Sequence, residues 1–262
     1  MRTEIIVPTF GQEGFTARCF DSIREHTADY RLVWVDNGSS RESRMAVLRS
    51  FARHESRLSI WPGRNLGFVG GTNLGLRAVL ETFPSEAEHV VLLNNDTEVT
   101  AGWIQTLTSP LRDPTVAAAG PMTSCAGSWQ GWSNVFGHWG ERTPDWLPAA
   151  GPDEVRRYLA QRYGNTVFPV SMIAFFCAAF RKEVFERVGL LDPQFGTGLG
   201  DDDDYCFRLR QAGYTLAFMP GAYVVHHHRT TFKAVYSEAE ILRMQTENLS
   251  KYHQKHGILL GG

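Results

Sequence analysis

Apolar strands that each stop at a cluster of polar residues constrain this chain most. Leu32–Val35 ends at Asp36-Asn37-Gly38-Ser39-Ser40, Val90–Leu93 at Asn94-Asn95-Asp96-Thr97, and Tyr223–Val225 at His226-His227-His228. An opening run, Ile5-Ile6-Val7, is closed by Pro8-Thr9-Phe10-Gly11. Unbroken apolar strands suit a sheet covered on both faces. Between them, apolar residues recur at helical spacing: Phe15, Cys19, Phe20 and Ile23, then Met45, Leu48 and Phe51, then Leu76, Val79 and Leu80. The pattern predicts an α/β chain, with a Rossmann-like, mostly parallel sheet flanked by helices in a single domain. Such sheets bind ligands outside the carboxyl ends of their strands, where these polar clusters stand.

Further strands are expected at Leu58–Trp61, Val116–Met122, Val170–Phe180 and Thr215–Met219, and helices at Trp103–Leu107, Arg181–Val188 and Ser237–His256. From Ser124 to Thr166 the periodicity is lost, and Trp129, Trp132, Trp139 and Trp146 fall among glycines and prolines. That stretch reads as a long loop with an aromatic surface, or as an insertion packed by its own tryptophans.

Composition excludes several classes. With 262 residues and 43% apolar content the chain can bury a large core. A net charge of -2 offers no basic stripe for nucleic acid. Cys19, Cys125, Cys177 and Cys206 lack C-x-x-C spacing, which disfavours a zinc ribbon or a disulfide framework. No stretch reaches the ~20 apolar residues of a membrane span, and the first apolar run is too short for a signal peptide. A cytoplasmic setting is expected, with any membrane contact peripheral and at the inner face.

Four consecutive carboxylates, Asp201 to Asp204, follow the glycine-rich Phe195–Gly200 and lead into a helical pattern. The helix dipole offsets part of their repulsion. Crowding raises the proton affinity of each, which suits a general base or a metal site. A second glycine-rich stretch, Arg64–Asn73, opens the helix of Leu76; its backbone amides either meet a phosphate or serve close packing. The first strand is not followed by G-x-G-x-x-G, so a dinucleotide fold is disfavoured, and there is no Walker A sequence.

In order along the chain, these motifs resemble those of family 2 glycosyltransferases, from Glu4 to about Lys255. Ile6–Phe10 is similar to the family's opening strand and nucleotide-contacting turn. Val35–Ser40 is similar to its base- and ribose-reading strand end, and Asn65–Gly75 to the signature of its rhamnosyltransferase-like members. Leu93–Thr97 stands at the metal-binding D-x-D, and Asp201–Arg208 at E-D-x-D-L-x-x-R. Two positions depart. Asn94 replaces the first carboxylate of D-x-D, and Asp201 replaces a glutamate with a side chain one methylene shorter.

The resemblance implies a GT-A fold, a nucleotide-sugar-binding half over 1–122 and an acceptor-binding and catalytic half over 123–262. It implies inverting, Mg2+- or Mn2+-dependent transfer from a dTDP- or UDP-sugar, rhamnose included, to a glycan or lipid-linked acceptor in polysaccharide biosynthesis. Asp202 would be the base. Pro8, Thr9, Phe10, Asp36, Asn37, Asn65, Gly67, Gly71, Asn73, Asn94 and Asn95 would hold the donor. Asp96 and His226 would bind metal. Asp201, Asp204, Arg208 and His228 would be supporting positions, Arg208 pairing with a carboxylate or with the diphosphate. Zinc on the three histidines is the less favoured metal. A sugar nucleotidyltransferase and a non-catalytic nucleotide-sugar-binding module, the latter suggested by Asn94, are the rival readings.

Overall fold

The computed structural model describes residues 2–82, 87–124, 130–138, 142–227 and 235–257. The strands are β1 Thr3–Thr9, β2 Tyr30–Asp36, β3 Arg57–Ile60, β4 His89–Leu93, β5 Thr97–Val99, β6 Val116–Met122, β7 Phe168–Val170, β8 Cys177–Arg181 and β9 Thr215–His226. The helices are α1 Glu13–His26, α2 Arg41–Phe51, α3 Gly67–Thr82, α4 Trp103–Thr108, α5 Trp132–His138, α6 Pro152–Tyr163, α7 Glu183–Val188, α8 Asp201–Gln211 and α9 Glu238–His256.

The sheet runs β3-β2-β1-β4-β8-β6-β9-β5, with β7 also on β9. β3, β2, β1 and β4 are parallel neighbours, and β6 and β9 run the same way; β8, β5 and β7 oppose them. The carboxyl ends of β1, β2, β4 and β9 therefore share one edge. Ile5, Val7, Leu32, Trp34, Val91 and Leu93 face one buried cluster with the apolar faces of α1, α2 and α4. Ile6, Val33, Val35, Val90 and Leu92 face the other, under α3, α7 and α8. Burial on both faces is why these strands read as unbroken apolar runs.

Several expectations need correction. Val170–Phe180 is not one strand: residues 171–176 leave the sheet between β7 and β8. Thr215–Met219 and Tyr223–Val225 are one strand, β9, whose register against β6 shifts between Pro121 and Met122. The stretch from Ser124 to Thr166 is not irregular throughout, since α5 and α6 lie in it. Pro152 sits at the start of α6, Asp153 and Glu154 in its first turn, and Val155 and Leu159 are buried one turn apart. Trp132 stacks on Tyr223, 6.2 Å between ring centroids, and Trp146 meets Tyr158 edge-on. Trp129 and Trp139 lie outside the described residues.

Candidate active site

At the carboxyl edge of the sheet lies a cavity of about 490 Å3. Its walls include Pro8, Thr9 and Phe10 after β1, Asn37 after β2, Asn65 and Gly67 before α3, Asn94, Asn95 and Asp96 after β4, His226 at the end of β9, and Asp201, Asp202 and Asp203 at the start of α8. Of the residues expected from sequence, these are the ones the fold brings together.

The nucleotide-side wall is cross-braced. The Asn37 amide donates to Asn65 Oδ1 (3.1 Å) and to the Gly67 carbonyl (2.8 Å), and Asn37 Oδ1 accepts from the Leu66 N–H (2.9 Å). Gly71 packs on that amide: a Cβ there would stand 3.1 Å from Asn37 Cγ. Thr9 Oγ1 accepts from the Trp34 indole (2.9 Å), and the Thr9 carbonyl accepts from the Asn37 N–H (2.8 Å). Gly67 has φ +74°, and a Cβ on it would come within 2.8 Å of the Gly196 carbonyl carbon. This close approach joins the loop before α3 to the loop before α8.

Asp36, Gly71 and Asn73 do not line the cavity. The Asp36 carboxylate is fully buried, accepts from the Ser39 N–H (3.1 Å) and is paired with Arg44. Asn73 exchanges two hydrogen bonds with the Leu191 backbone, at 2.8 and 3.1 Å. All three hold the wall from behind.

Asp96 and His226 meet because β5 runs antiparallel to β9, which sets Thr97 opposite His226. Both are buried, with 3.4 Å between Asp96 Oδ1 and His226 Nε2. Phe176 stacks on the imidazole, centroids 4.8 Å apart and planes within 10°. His227 points elsewhere, to Glu98 at 2.7 Å, as strand alternation requires; His228 lies outside the described residues. No cluster of three or more His, Cys, Asp or Glu arranged to hold a metal occurs among the described residues. Asn95 donates to Thr16 Oγ1 (2.9 Å), and the Asn94 backbone bonds to Phe176 and Thr97.

The four aspartates separate. Asp201 is buried, and one of its oxygens, Oδ2, makes no hydrogen bond. Removal from water, then the neighbouring carboxylates, pushes its acid up to about 7. Asp202 is half-buried, and its Oδ1 accepts from the Asp203 N–H (3.0 Å). Burial first, then Asp201 and Asp203, hold its acid well above the usual carboxylate range. Asp203 is exposed. Asp204 is fully buried and does not line the cavity. It accepts from Arg208 Nε (2.9 Å), Lys255 Nζ (2.6 Å) and His256 Nε2 (2.8 Å). Arg208 also donates to the Val188 and Leu190 carbonyls, so its partners are a carboxylate and backbone rather than the cavity.

Phe175 and Phe176, in the stretch Val170–Arg181 that is similar to the family's segment beneath the acceptor pocket, line the wall from between β7 and β8. Nothing in the sequence marked the rest of the wall: Met172 beside them, Leu199 from the turn before α8, and Gln245, Leu249 and Tyr252 from α9. Leu199 takes φ +71°, an uncommon conformation for a branched residue and one that clusters at functional sites. Leu249 and Leu242 look like helix core in sequence, yet they are 52% and 64% exposed.

The family model described as glycosyl transferase family 2 matches residues 4–189. Uncharacterized protein Rv1525 of Mycobacterium tuberculosis is 28% identical over 232 residues, 87% of this chain and 74% of its own length. Among solved structures, the chain is similar to GalNAc-T7 with UDP, GalNAc and Mn2+ (TM-score 0.64, 18% identity, 86% of this chain). It is also similar to the mannosyltransferase PcManGT from Pyrobaculum calidifontis in complex with GDP-Man and Mn2+ (TM-score 0.62, 21% identity, 97% of this chain). It spans 44% and 64% of the lengths of those two chains. The fold is thus that of the GT-A glycosyltransferases.

Proposed function

The chain belongs to glycosyl transferase family 2, and from that premise we propose that it moves a sugar from a nucleotide-diphosphate donor to a hydroxyl of a glycan or lipid-linked acceptor, with inversion. A dTDP- or UDP-sugar, rhamnose first, is the donor we would test, and surface-polysaccharide assembly is the setting this reading fits. The carrying observation is that one cavity is walled both by the strand-end residues Pro8–Phe10, Asn94–Asp96 and His226 and by Asp202 at the start of α8.

The wall of Pro8, Thr9, Phe10, Asn37, Asn65 and Gly67 would take the nucleotide, with Asp36, Gly71 and Asn73 bracing it. Asp96 and His226 fit a divalent cation: they set a carboxylate oxygen and an imidazole nitrogen side by side in a buried place. The remaining positions would fall to the diphosphate, water and Asn94. Mg2+ or Mn2+ bound there would offset charge developing on the leaving diphosphate. Both solved neighbours carry Mn2+, which supports this.

Asp202 would receive the acceptor's hydroxyl proton as that oxygen bonds to the anomeric carbon and the bond from that carbon to the diphosphate breaks on the other face. Its raised proton affinity suits a general base. The test is a thermal-shift screen of nucleoside diphosphates with and without Mn2+, followed by sugar transfer with Asp202→Asn. Stabilisation by one nucleotide, with transfer lost by at least ~100-fold in the variant, is expected. A full turnover rate in Asp202→Asn would remove the base assignment, and no nucleotide response would remove the donor reading.

A further inference from the structure

Residues 171–176 leave the sheet between β7 and β8, so their backbone polar groups lose the ladder that would have paired them. Side chains take its place. The Ile173 N–H donates to Cys206 Sγ (3.5 Å), and the Cys206 thiol donates back to the Ile173 carbonyl (3.6 Å). The Ala174 N–H donates to Gln130 Oε1 (2.6 Å), and Gln130 Nε2 donates to the Pro121 carbonyl on β6 (3.2 Å). Ile173, Cys206 and Gln130 are all buried.

Both partners are themselves fixed. The Gln130 carbonyl accepts from the Thr123 N–H (2.8 Å), just beyond β6. A Cβ on Gly120 would stand 2.5 Å from Gln130 Nε2 and 3.1 Å from Ile173 Cβ, so β6, Gln130 and Ile173 meet where only a glycine fits. Cys206 lies on α8 one turn after Asp202, on the same face. The far end of the segment has a separate anchor. The Phe176 carbonyl accepts from the Asn94 N–H (2.8 Å), and the Phe176 ring stacks on His226. The end of β4 thus holds Phe176 beside the Asp96–His226 pair. Gln130 and Cys206 hold residues 172–175, of which Met172, Ala174 and Phe175 line the cavity.

We propose that Gln130 and Cys206 are positioning residues for the acceptor: they clamp residues 172–175 as a wall that stands beside Asp202 before the acceptor arrives. This rests on the transferase reading and deepens it. The acceptor's hydroxyl has to reach Asp202, so the surface that Cys206 ties to the helix of Asp202 is one the acceptor meets. A preformed wall spares binding the cost of ordering it. Neither Gln130 nor Cys206 lines the cavity. Loosening the clamp therefore weakens acceptor binding, while the nucleotide and the chemistry of a seated acceptor stay as they are.

The test sets Gln130→Met and Cys206→Ala, which remove the hydrogen bonds, beside Cys206→Ser, whose hydroxyl can remake them. UDP and dTDP with Mn2+ serve as nucleotide probes and a panel of octyl glycosides as acceptor probes. In Gln130→Met and Cys206→Ala the acceptor KM should rise ~10-fold, with kcat and nucleotide Kd within ~3-fold of wild type. Cys206→Ser should recover most of that rise. An unchanged acceptor KM overturns the proposal. So does a nucleotide Kd that weakens as much as the acceptor KM, or a Cys206→Ser variant no better than Cys206→Ala, since either would reduce the clamp to general packing. A second readout needs no activity. Hydrogen exchange of the Ile173 amide in Cys206→Ala, and of the Ala174 amide in Gln130→Met, should accelerate ~10-fold or more while amides of β1 and β4 keep their rates. Exchange that stays slow, or that rises across the whole sheet, sinks the clamp whether or not the donor and acceptor reading holds. Local acceleration in a protein that transfers no sugar leaves the clamp standing and sinks only the transferase reading.

Discussion

His226 Nε2 stands 3.4 Å from Asp96 Oδ1, fixed there by the β5–β9 ladder and by Phe176 against the ring. Under the proposed function, both side chains reach the same cation. Asp96→Ala and His226→Ala should each weaken Mn2+-dependent nucleotide binding by ~10–100-fold, with little change in nucleotide binding under EDTA. Titration by calorimetry with and without Mn2+ checks this. Equal losses in both conditions would make the pair a packing feature.

Gly67 carries a second expectation. Its φ is +74° and its missing Cβ is replaced by the Gly196 carbonyl, while the Val69 N–H donates to that same carbonyl (3.1 Å). Gly67→Ala strains the backbone and pushes the two glycine loops apart. A loss of about 2 kcal/mol in urea unfolding and weaker donor binding should follow together. Stability equal to wild type would show that the loops do not depend on this contact.

Sequence showed the parallel half clearly because β1, β2 and β4 are buried on both faces and read as continuous apolar runs. The same apolarity misled at Val170–Phe180. Met172, Phe175 and Phe176 are apolar because they wall the cavity, and hydrophobicity alone cannot distinguish a wall from a strand. β5 has three residues, too few for any period. α6 had a legible start in Gly151-Pro152-Asp153-Glu154, but glycines and prolines before it hid the change. In the site, register against the family's motifs pointed to Asp96, Asp202 and His226, and all three line the cavity. It could not show that Asp204 anchors α9, because Lys255 and His256 lie 51 and 52 residues away, nor that the Asp36 carboxylate is taken by Ser39 and Arg44 in the turn and helix that follow β2.

His54 should dominate one part of the acid response. Burial lowers its acid to about 4, and the neutral ring shares a hydrogen bond between Nδ1 and the Tyr30 hydroxyl at 2.6 Å. The unfolded chain binds a proton here near pH 6.5 and the folded chain does not, so stability is present above that pH and is lost as pH falls toward 4. The loss should be ~2–3 kcal/mol by urea unfolding, and His54→Leu should flatten it over that window. The same slope in the variant would assign the acid response to other groups.

Asp204 ties α9 to the site. Its buried carboxylate joins Arg208 on α8 to Lys255 and His256 near the end of α9, while Lys255 also reaches Asp192 at 2.6 Å. Asp204→Asn leaves three cationic or hydrogen-bonding groups around a neutral amide, with Asp192 able to satisfy only Lys255. A stability loss of about 3 kcal/mol is expected. The effect should also be directional. Gln245, Leu249 and Tyr252 reach the cavity from α9, whereas Pro8–Phe10, Asn37 and Asn94–Asp96 reach it from the ends of β1, β2 and β4. Hydrogen exchange in residues 245–256 should therefore accelerate more than in β1 and β4, and nucleotide affinity should change less than 3-fold while acceptor KM rises. Uniform acceleration across the fold would show that Asp204 supports the whole domain rather than this wall of the cavity.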